Sequence, residues 1–295
     1  MTPRLKKLAA EFPHHKNIDG LLVVNDTNIR YLTDFPAGES WLLVTPQKAV
    51  YITDFRYLLQ ARQGLKGISV KQYTKTPCLV LFDLVRGLKI KRLGFDERHT
   101  SVAQFKKLKQ FCPRRTKLVP AGGLVESLRE IKEQGEIAQI RACLKLHFKA
   151  LDLLKKVVRP GVTERHVLAR LERFVRSHKA GFAFDPIIAS GPNSCYPHAC
   201  VTDRVIRNNE PVLIDIGIEI GGYKSDLTRN FFLGRILPSV RQAFDAVKLA
   251  QRAAIAMIKP GVPAAQVDTK ARNTLKKFGL ARYFGHSLGH GVGLD

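Results

Sequence analysis

The sequence predicts an α/β domain followed by a larger α+β domain within 295 residues. In residues 20–58, β-branched and aromatic runs alternate with turn formers, and amphipathic helical patterns come next, which is typical of a small α/β domain. A long charged helical stretch then opens a second pattern, in which strand-like segments dominate as far as Phe232. We place the boundary at Ala121-Gly122-Gly123, giving domains at 1–123 and 124–295.

The first domain is predicted from local patterns. Its strands are expected at GLLVV (20–24), SWLLVTP (40–46), AVYITD (49–54) and RLGFD (92–96), with a turn at NDTN (25–28). Its helices are expected at FRYLLQARQ (55–63) and SVAQFKKLKQF (101–111).

The second domain is predicted to begin with one helix from Leu124 to Val158, which Arg159-Pro160-Gly161 ends. A second helix is expected from Thr163, an N-cap residue, to His178. Residues 157–174 and 257–275 both read x-Pro-Gly-Val followed by a helical pattern, which predicts two related α+β halves with a site between them.

Composition limits the classes of function. The net charge of +24 on its own would indicate a nucleic acid or an anionic surface as the binding partner. However, residues 1–123 carry 22 Lys and Arg against 9 Asp and Glu, and residues 124–295 carry 27 against 16, so no separate basic arm exists. The five cysteines include no C-x-x-C pair, and no segment has the roughly 18 apolar residues of a membrane span, so we expect a cytoplasmic protein with reduced thiols.

The stretch VLIDIGIEIGGYKSDLTRNFF (212–232) carries two aspartates in strand-like runs on either side of Gly221-Gly222. In a tight hairpin we expect Asp215 to lie directly opposite Asp226, where two like charges favour a divalent cation between them. The alternative is that Asp226 is an exposed turn residue near Lys224 and Arg229, while Asp215 pairs with an arginine.

Two further motifs carry histidines. The end of the sequence, ARYFGHSLGHGVGLD, places His286 and His290 among glycines that indicate close backbone approach to a site rather than a helix. In SGPNSCYPHA (190–199), His198 follows a turn and precedes a strand. A lone histidine of this kind also fits a structural role.

In this order, SGPNSCYPHA, DIGIEIGGYKSDLTRNFF and GHSLGHGVGLD resemble the Xaa-Pro aminopeptidases and prolidases, metallopeptidases with the creatinase or "pita-bread" fold. The N-terminal residues resemble the creatinase-type N-terminal domain. The resemblance implies a proline-specific metallo-aminopeptidase that acts on proline-containing peptides as a homodimer. It also implies two divalent ions, and oxygen ligands with one imidazole favour Mn²⁺ over Co²⁺ or Zn²⁺.

The resemblance also implies residue roles. Asp215, Asp226 and His290 match metal ligands, with Asp226 bridging both ions. His198 and His286 match catalytic histidines that orient the scissile peptide. Two glutamate ligands of the family have no counterpart before Asp295, so we expect the sequence to be a C-terminally incomplete fragment.

Two alternatives remain. One is an Xaa-Pro dipeptidase, a prolidase that accepts dipeptides only. The other is a non-catalytic pita-bread protein that binds nucleic acid, which the net charge favours and the intact Asp215, Asp226 and His290 oppose. Phosphate contacts would give nucleic-acid binding a steep dependence on salt.

Overall fold

A computed structural model describes residues 1–14, 17–36 and 38–295 of the chain. The chain divides into two compact units, Met1–Glu133 and Gln134–Gly293. The sequence placed the boundary earlier, after Gly123. The difference arises because the helix after Gly123 buries Leu124 and Val125 and packs within the first unit.

The N-terminal unit is built on one six-stranded mixed sheet. Its strands are β1 (Gly20–Val23), β2 (Trp41–Val44), β3 (Ala49–Thr53), β4 (Ser69–Gln72), β5 (Arg92–Phe95) and β6 (Lys117–Pro120), in the order β4-β3-β2-β1-β5-β6. Its helices are α1 (Pro3–Ala10), α2 (Asp26–Thr33), α3 (Phe55–Gly64), α4 (Pro77–Gly87), α5 (Val102–Phe111) and α6 (Leu124–Glu130). The pairs β1–β2 and β2–β3 are antiparallel, and the other pairs are parallel.

The predicted turn at residues 25–28 is instead the beginning of α2. The side chain of Asn25 accepts a hydrogen bond from the Asn28 amide at 2.9 Å, as an N-cap residue does. Asparagine favours both turns and helix starts, so the sequence pattern was ambiguous. The short strand β4 was missed because its residues are mostly exposed and polar, and β6 was missed because it has only four residues and ends in a proline.

The C-terminal unit contains two three-stranded antiparallel sheets, four α-helices and two short 3-10 helices, Gly191–Cys195 and Ala281–Tyr283. The helices are α7 (Gln134–Val157), α8 (Glu164–Ser177), α9 (Pro238–Ile255) and α10 (Ala264–Lys276). The strands are β7 (Gly181–Phe182), β8 (Ile187–Ser190), β9 (Glu210–Ile216), β10 (Ile218–Ile220), β11 (Tyr223–Lys224) and β12 (Leu227–Leu233). The sheet orders are β11-β10-β7 and β12-β9-β8.

The core of this unit lies between α7, α8 and the inner faces of β8, β9 and β10. Alternate residues of β9, among them Val212, Ile214 and Ile216, are fully buried in it. Asp215 stands between two of them in the strand, so strand alternation directs its side chain to the opposite face. The apolar residues around Asp215 in the sequence therefore do not surround its carboxylate.

The long helix predicted from Leu124 to Val158 is two helices, α6 and α7. Ile131 has extended dihedral angles, φ −97° and ψ 107°, and ends α6. Two residues later, the carboxylate of Glu133 accepts hydrogen bonds from Arg4 at 3.2 Å and Lys7 at 2.7 Å. These contacts fix the end of the first unit before α7 begins.

The prediction for α8 is confirmed, including its cap. The hydroxyl oxygen of Thr163 accepts a hydrogen bond from the His166 amide at 3.0 Å, and the helix ends at Ser177. The repeated Pro-Gly-Val segments precede α8 and α10, so the sequence echo corresponds to a repeated local turn and helix. Across the described residues, none of the helices has the length and apolar character needed to cross a membrane.

Candidate metal centre

The hairpin that carries the two aspartates turns at Gly221 and Gly222, whose φ angles are 59° and 85°. Positive φ at both positions suits glycine and closes a tight two-residue turn. Ile220 therefore pairs with Tyr223 across it. This turn sets the register of the whole hairpin.

In that register Asp215 pairs with Thr228, so the prediction that it lies directly opposite Asp226 is wrong by two residues. Asp226 lies two residues before Thr228, the strand partner of Asp215. The charge of Asp226 consequently still acts on Asp215. The two carboxylates are diagonal neighbours rather than a directly opposed pair.

The hairpin is interrupted at Gly217, between β9 and β10. A Cβ atom there would lie 2.5 Å from the ring of Phe184, 2.7 Å from the Cβ of Ala183 and 2.8 Å from the carbonyl oxygen of Ser225. Only glycine fits this space. The interruption leaves Asp226 between β11 and β12, outside the strand pairing.

Asp215 is a half-buried carboxylate with one protein donor, the hydroxyl of Thr228 at 2.8 Å. Burial raises the pKa of Asp215, the Thr228 hydrogen bond opposes the rise, and the charge of Asp226 adds to it. Within the described ranges, no lysine or arginine forms an ion pair with Asp215 or Asp226. The arginine partner of the alternative interpretation is thus not found, although Asp226 is exposed as that interpretation expected.

His290 faces the second aspartate, with its Nε2 3.3 Å from the Asp226 Oδ2. Its other ring nitrogen, Nδ1, lies 2.8 Å from the Gly291 carbonyl oxygen and must donate to it. A neutral His290 therefore presents a bare Nε2 lone pair to a carboxylate oxygen. Two facing lone pairs repel unless a cation lies between them, so this pair fits a metal ion or a proton.

His286 is exposed on the same terminal segment. Its Nδ1 donates to the Ser287 carbonyl oxygen at 2.7 Å, which makes Nε2 the unprotonated nitrogen of the neutral ring. The ring lies 4.8 Å from that of Phe284, and Arg272 donates to the His286 carbonyl oxygen at 2.7 Å. Backbone contacts and one aromatic contact thus fix the imidazole.

His198 is exposed on the segment between β8 and β9. Its charge lowers the pKa of Asp215, opposing the larger effect of burial, so the imidazole lies within electrostatic reach of that carboxylate. The structure therefore brings His198 towards Asp215, and His290 towards Asp226. The ligand atoms of Asp215, Asp226 and His290 do not all lie within 4.8 Å of one another in the part of the chain that is described.

Sequence reasoning missed two supporting residues, both on α7. His147 of α7 is fully buried, with its Nδ1 3.1 Å from the Ser225 hydroxyl, and Cys143 on the same helix face donates to the Tyr223 carbonyl oxygen at 3.0 Å. Burial, with the charge of Arg229, lowers the pKa of His147 to about 4. These contacts fasten the hairpin beside Asp226 to α7, and no local sequence signal indicates them.

A second group of metal-ligand type lies in the N-terminal unit. The ligand atoms of Asp96, His99 and Glu126 lie within 4.8 Å of one another. The Glu126 Oε2 is 2.6 Å from the Arg98 guanidinium, and the His99 Nδ1 is 2.8 Å from the Asp96 Oδ2. This cluster already contains its own cation, so ion pairing accounts for it.

A cavity of about 780 Å³ adjoins His290 on the side of α9 and α10. Its wall is mainly apolar, with Ile255, Ile258 and Leu288 among the lining residues. Among the described residues that line it, the one acidic side chain is Asp268, which Arg272 holds in a salt bridge at 2.6 Å. The cavity therefore adds no ligand beyond His290.

Two family descriptions match the chain. Residues 138–295 match metallopeptidase family M24, and residues 4–131 match the creatinase/prolidase N-terminal domain. The sequence is 33% identical over 279 residues to the uncharacterized peptidase YqhT of Bacillus subtilis, covering 94% of this chain and 79% of the relative. It is 29% identical over 304 residues to an Xaa-Pro dipeptidase of Pyrococcus horikoshii, covering 82% of that protein.

Solved structures agree with these matches. An Xaa-Pro dipeptidase from Bacillus anthracis superposes with a TM-score of 0.93 at 31% identity, over 99% of this chain and 82% of that one. An X-Pro aminopeptidase from Thermotoga maritima gives 0.88 at 30% identity, with coverage of 99% and 82%. The predicted resemblance and the predicted fold, a creatinase-type N-terminal domain followed by a pita-bread domain, are confirmed.

Proposed function

The chain belongs to metallopeptidase family M24, and we propose that it hydrolyses the peptide bond between an N-terminal residue and proline, as an Xaa-Pro aminopeptidase. The observation that carries the metal chemistry is the contact between the Nε2 of His290 and the Asp226 carboxylate, 3.3 Å apart. The proline preference rests on the names of the relatives, which include both Xaa-Pro dipeptidases and an X-Pro aminopeptidase.

The residues fit a divalent metal centre. Asp215 and Asp226 supply carboxylate oxygens from the hairpin, and His290 supplies an imidazole whose Nδ1 is held by a backbone carbonyl, the arrangement that orients metal-binding histidines. Oxygen ligands with one imidazole suit Mn²⁺, and we propose two such ions. When bound, divalent cations polarise the scissile carbonyl and make water a nucleophile at neutral pH.

The side chains of the chain have distinct roles in this proposal. Thr228 donates to the Oδ1 of Asp215 and so fixes the direction in which that carboxylate presents its oxygens. His198 and His286 orient the substrate carbonyl and stabilise the charge that develops on its oxygen. With Nδ1 donating to Ser287, His286 accepts at Nε2 when neutral and donates there when protonated.

The experiment uses the full-length gene product that contains these residues. It is assayed with Mn²⁺ on Xaa-Pro dipeptides and on longer Xaa-Pro peptides. Hydrolysis of the longer peptides supports an aminopeptidase, whereas hydrolysis of dipeptides alone indicates a prolidase. Failure on both substrates, with Mn²⁺, Co²⁺ and Zn²⁺ each tried, contradicts the proposal.

A matched pair of variants tests the site. Asp226→Asn keeps the size of the side chain and removes its charge, and it is expected to reduce kcat by more than about 100-fold, because loss of even an outer contact at a metal site costs 10- to 100-fold. Asp96→Asn makes the same change in the N-terminal cluster and is expected to leave kcat unchanged. Equal effects of the two substitutions would contradict the assignment.

A further inference from the structure

Glu164, the first residue of α8, is a carboxylate with no exposed surface. Its Oε1 accepts hydrogen bonds from the Ser190 amide and the Ser190 hydroxyl, both at 2.7 Å. Its Oε2 accepts from the Thr202 amide at 3.0 Å and the Thr202 hydroxyl at 2.6 Å. The Asn193 amide group adds a contact of 3.2 Å to Oε1. One buried carboxylate thus binds both ends of the segment from Ser190 to Thr202.

These bonds require a carboxylate. A buried charge without partners would cost several kcal/mol, whereas hydrogen bonds to the ionised form stabilise it. Burial by itself raises the pKa of Glu164, but the bonds from Thr202 and Ser190 outweigh it, and the pKa lies below its usual value. A glutamine at this position would offer one acceptor oxygen to two backbone amides, and its own NH₂ group would face one of them.

The segment between these two anchors carries His198. Ser190 is the last residue of β8, and the first residue of that strand, Ile187, pairs with Asp215. Arg204 strengthens the anchor, because its Nη1 donates to the Ser190 hydroxyl at 2.6 Å and to Glu210 at 2.7 Å. The carboxylate of Glu164 thus lies where the loop leaves the strand that borders the candidate site.

We propose that Glu164 is a positioning residue, which holds the Ser190–Thr202 loop so that His198 stands beside Asp215 and the substrate carbonyl. This inference rests on the proposed function, since it assigns His198 to the substrate. It extends that function to a buried carboxylate remote from the reacting atoms. Glu164 acts through the loop and touches neither metal nor substrate.

The test compares Glu164→Gln with Glu172→Gln in the complete gene product. Glu172 is exposed on the same helix, so its substitution makes the same chemical change without touching the loop. Three quantities are measured: amide hydrogen exchange at Ser190 and Thr202, the imidazole NMR signals of His198 assigned with His198→Gln, and the separate values of kcat and KM.

For Glu164→Gln we expect faster exchange at both amides and a shifted or broadened His198 signal, with the signals of His286 and His290 unchanged. A misplacement of about 1 Å can cost 100-fold in rate, so kcat should fall by about 10- to 100-fold while KM changes little. Glu172→Gln should change none of these quantities. If Glu164→Gln does not fold, Thr202→Val removes one hydroxyl donor and is expected to produce the same effects to a smaller extent.

Unchanged amide exchange, or an unchanged His198 signal, in a folded Glu164 or Thr202 variant would overturn the inference. A mobile loop with normal kcat would overturn it as well. If the unsubstituted protein cleaves no Xaa-Pro bond, the proposed function fails separately, and the exchange and NMR measurements still decide whether Glu164 positions His198.

Discussion

Each unit of the molecule contains two carboxylates beside a histidine, and the two groups differ in what balances their charge. In the N-terminal unit, Arg98 lies 2.6 Å from Glu126, and Asn28 donates to the other oxygen of that carboxylate at 2.9 Å. In the C-terminal unit, Asp215 receives one hydroxyl, and Asp226 meets the imidazole of His290. The first group is an ion-pair network, while the second lacks a permanent cation among the described residues.

This difference teaches that proximity of ligand-type residues is not sufficient to identify a metal centre. The N-terminal group is the tighter of the two, with all its ligand atoms within 4.8 Å. An ion there would have to displace the Arg98 guanidinium. At Asp226 an added cation would instead remove the repulsion between the carboxylate oxygen and the Nε2 lone pair of a neutral His290. The absence of a counter-charge in the protein is therefore a better indicator of a metal centre than the close spacing of ligand-type residues.

The largest predicted effect is the pH dependence of stability that arises from His147, the buried histidine that contacts the hairpin of the C-terminal group. The pKa of His147 is lowered from 6.5 to about 4 by burial and by the charge of Arg229. Between pH 4 and pH 6.5 the unfolded chain binds a proton at His147 more readily than the folded chain does. The contribution of the neutral His147 to the free energy of unfolding is therefore complete above pH 6.5 and is lost as the pH falls towards 4. The shift corresponds to about 3 kcal/mol.

Equilibrium denaturation at pH 7 and pH 4.5 measures this contribution. His147→Gln retains a partner for Ser225 and is expected to remove much of the acid sensitivity, whereas His166→Gln, exposed on α8, should leave it unchanged. Identical pH dependence in the His147 variant and the unsubstituted protein would show that this histidine does not support the hairpin.

Neutralising one carboxylate in each group should change the free energy of unfolding by a smaller amount, and the sign of the change should differ between the two groups. Without metal, Glu126→Gln removes the ion pair of Arg98 with Glu126, leaving only the longer contact of Arg98 with Asp96 at 3.6 Å, and is expected to lower the free energy of unfolding by up to about 1 kcal/mol. Asp226→Asn removes a like charge from the vicinity of Asp215 and is expected to raise it by a few tenths of a kcal/mol. Denaturation with a chelator present measures both. Destabilisation of equal size by both substitutions would remove the distinction between the groups.

Local chemistry made part of the structure predictable. The Gly221-Gly222 turn, the Thr163 cap and the strand that carries Asp215 all follow from neighbouring residues. The hairpin register was misjudged by two residues although the turn was placed correctly, since a loop of Gly221 and Gly222 pairs Ile220 with Tyr223 and therefore Asp215 with Thr228.

The supporting contacts were not predictable, since they join residues far apart in the chain. Glu164 meets Ser190 and Thr202 across 26 and 38 residues, and His147 meets Ser225 across 78. Periodicity and motif spacing carry no information about such pairs. The ion pair of Glu126 with Arg98 likewise appears only once β5 and α6 are folded together.

Calorimetric titration of the metal-free, complete gene product with Mn²⁺ tests the central claim most directly, with Asp226→Asn and Asp96→Asn titrated alongside. The account predicts two bound ions per chain, loss of tight binding in the Asp226 variant and an unchanged isotherm in the Asp96 variant. Retained binding in Asp226→Asn together with loss in Asp96→Asn would place the metal in the N-terminal unit and contradict the account.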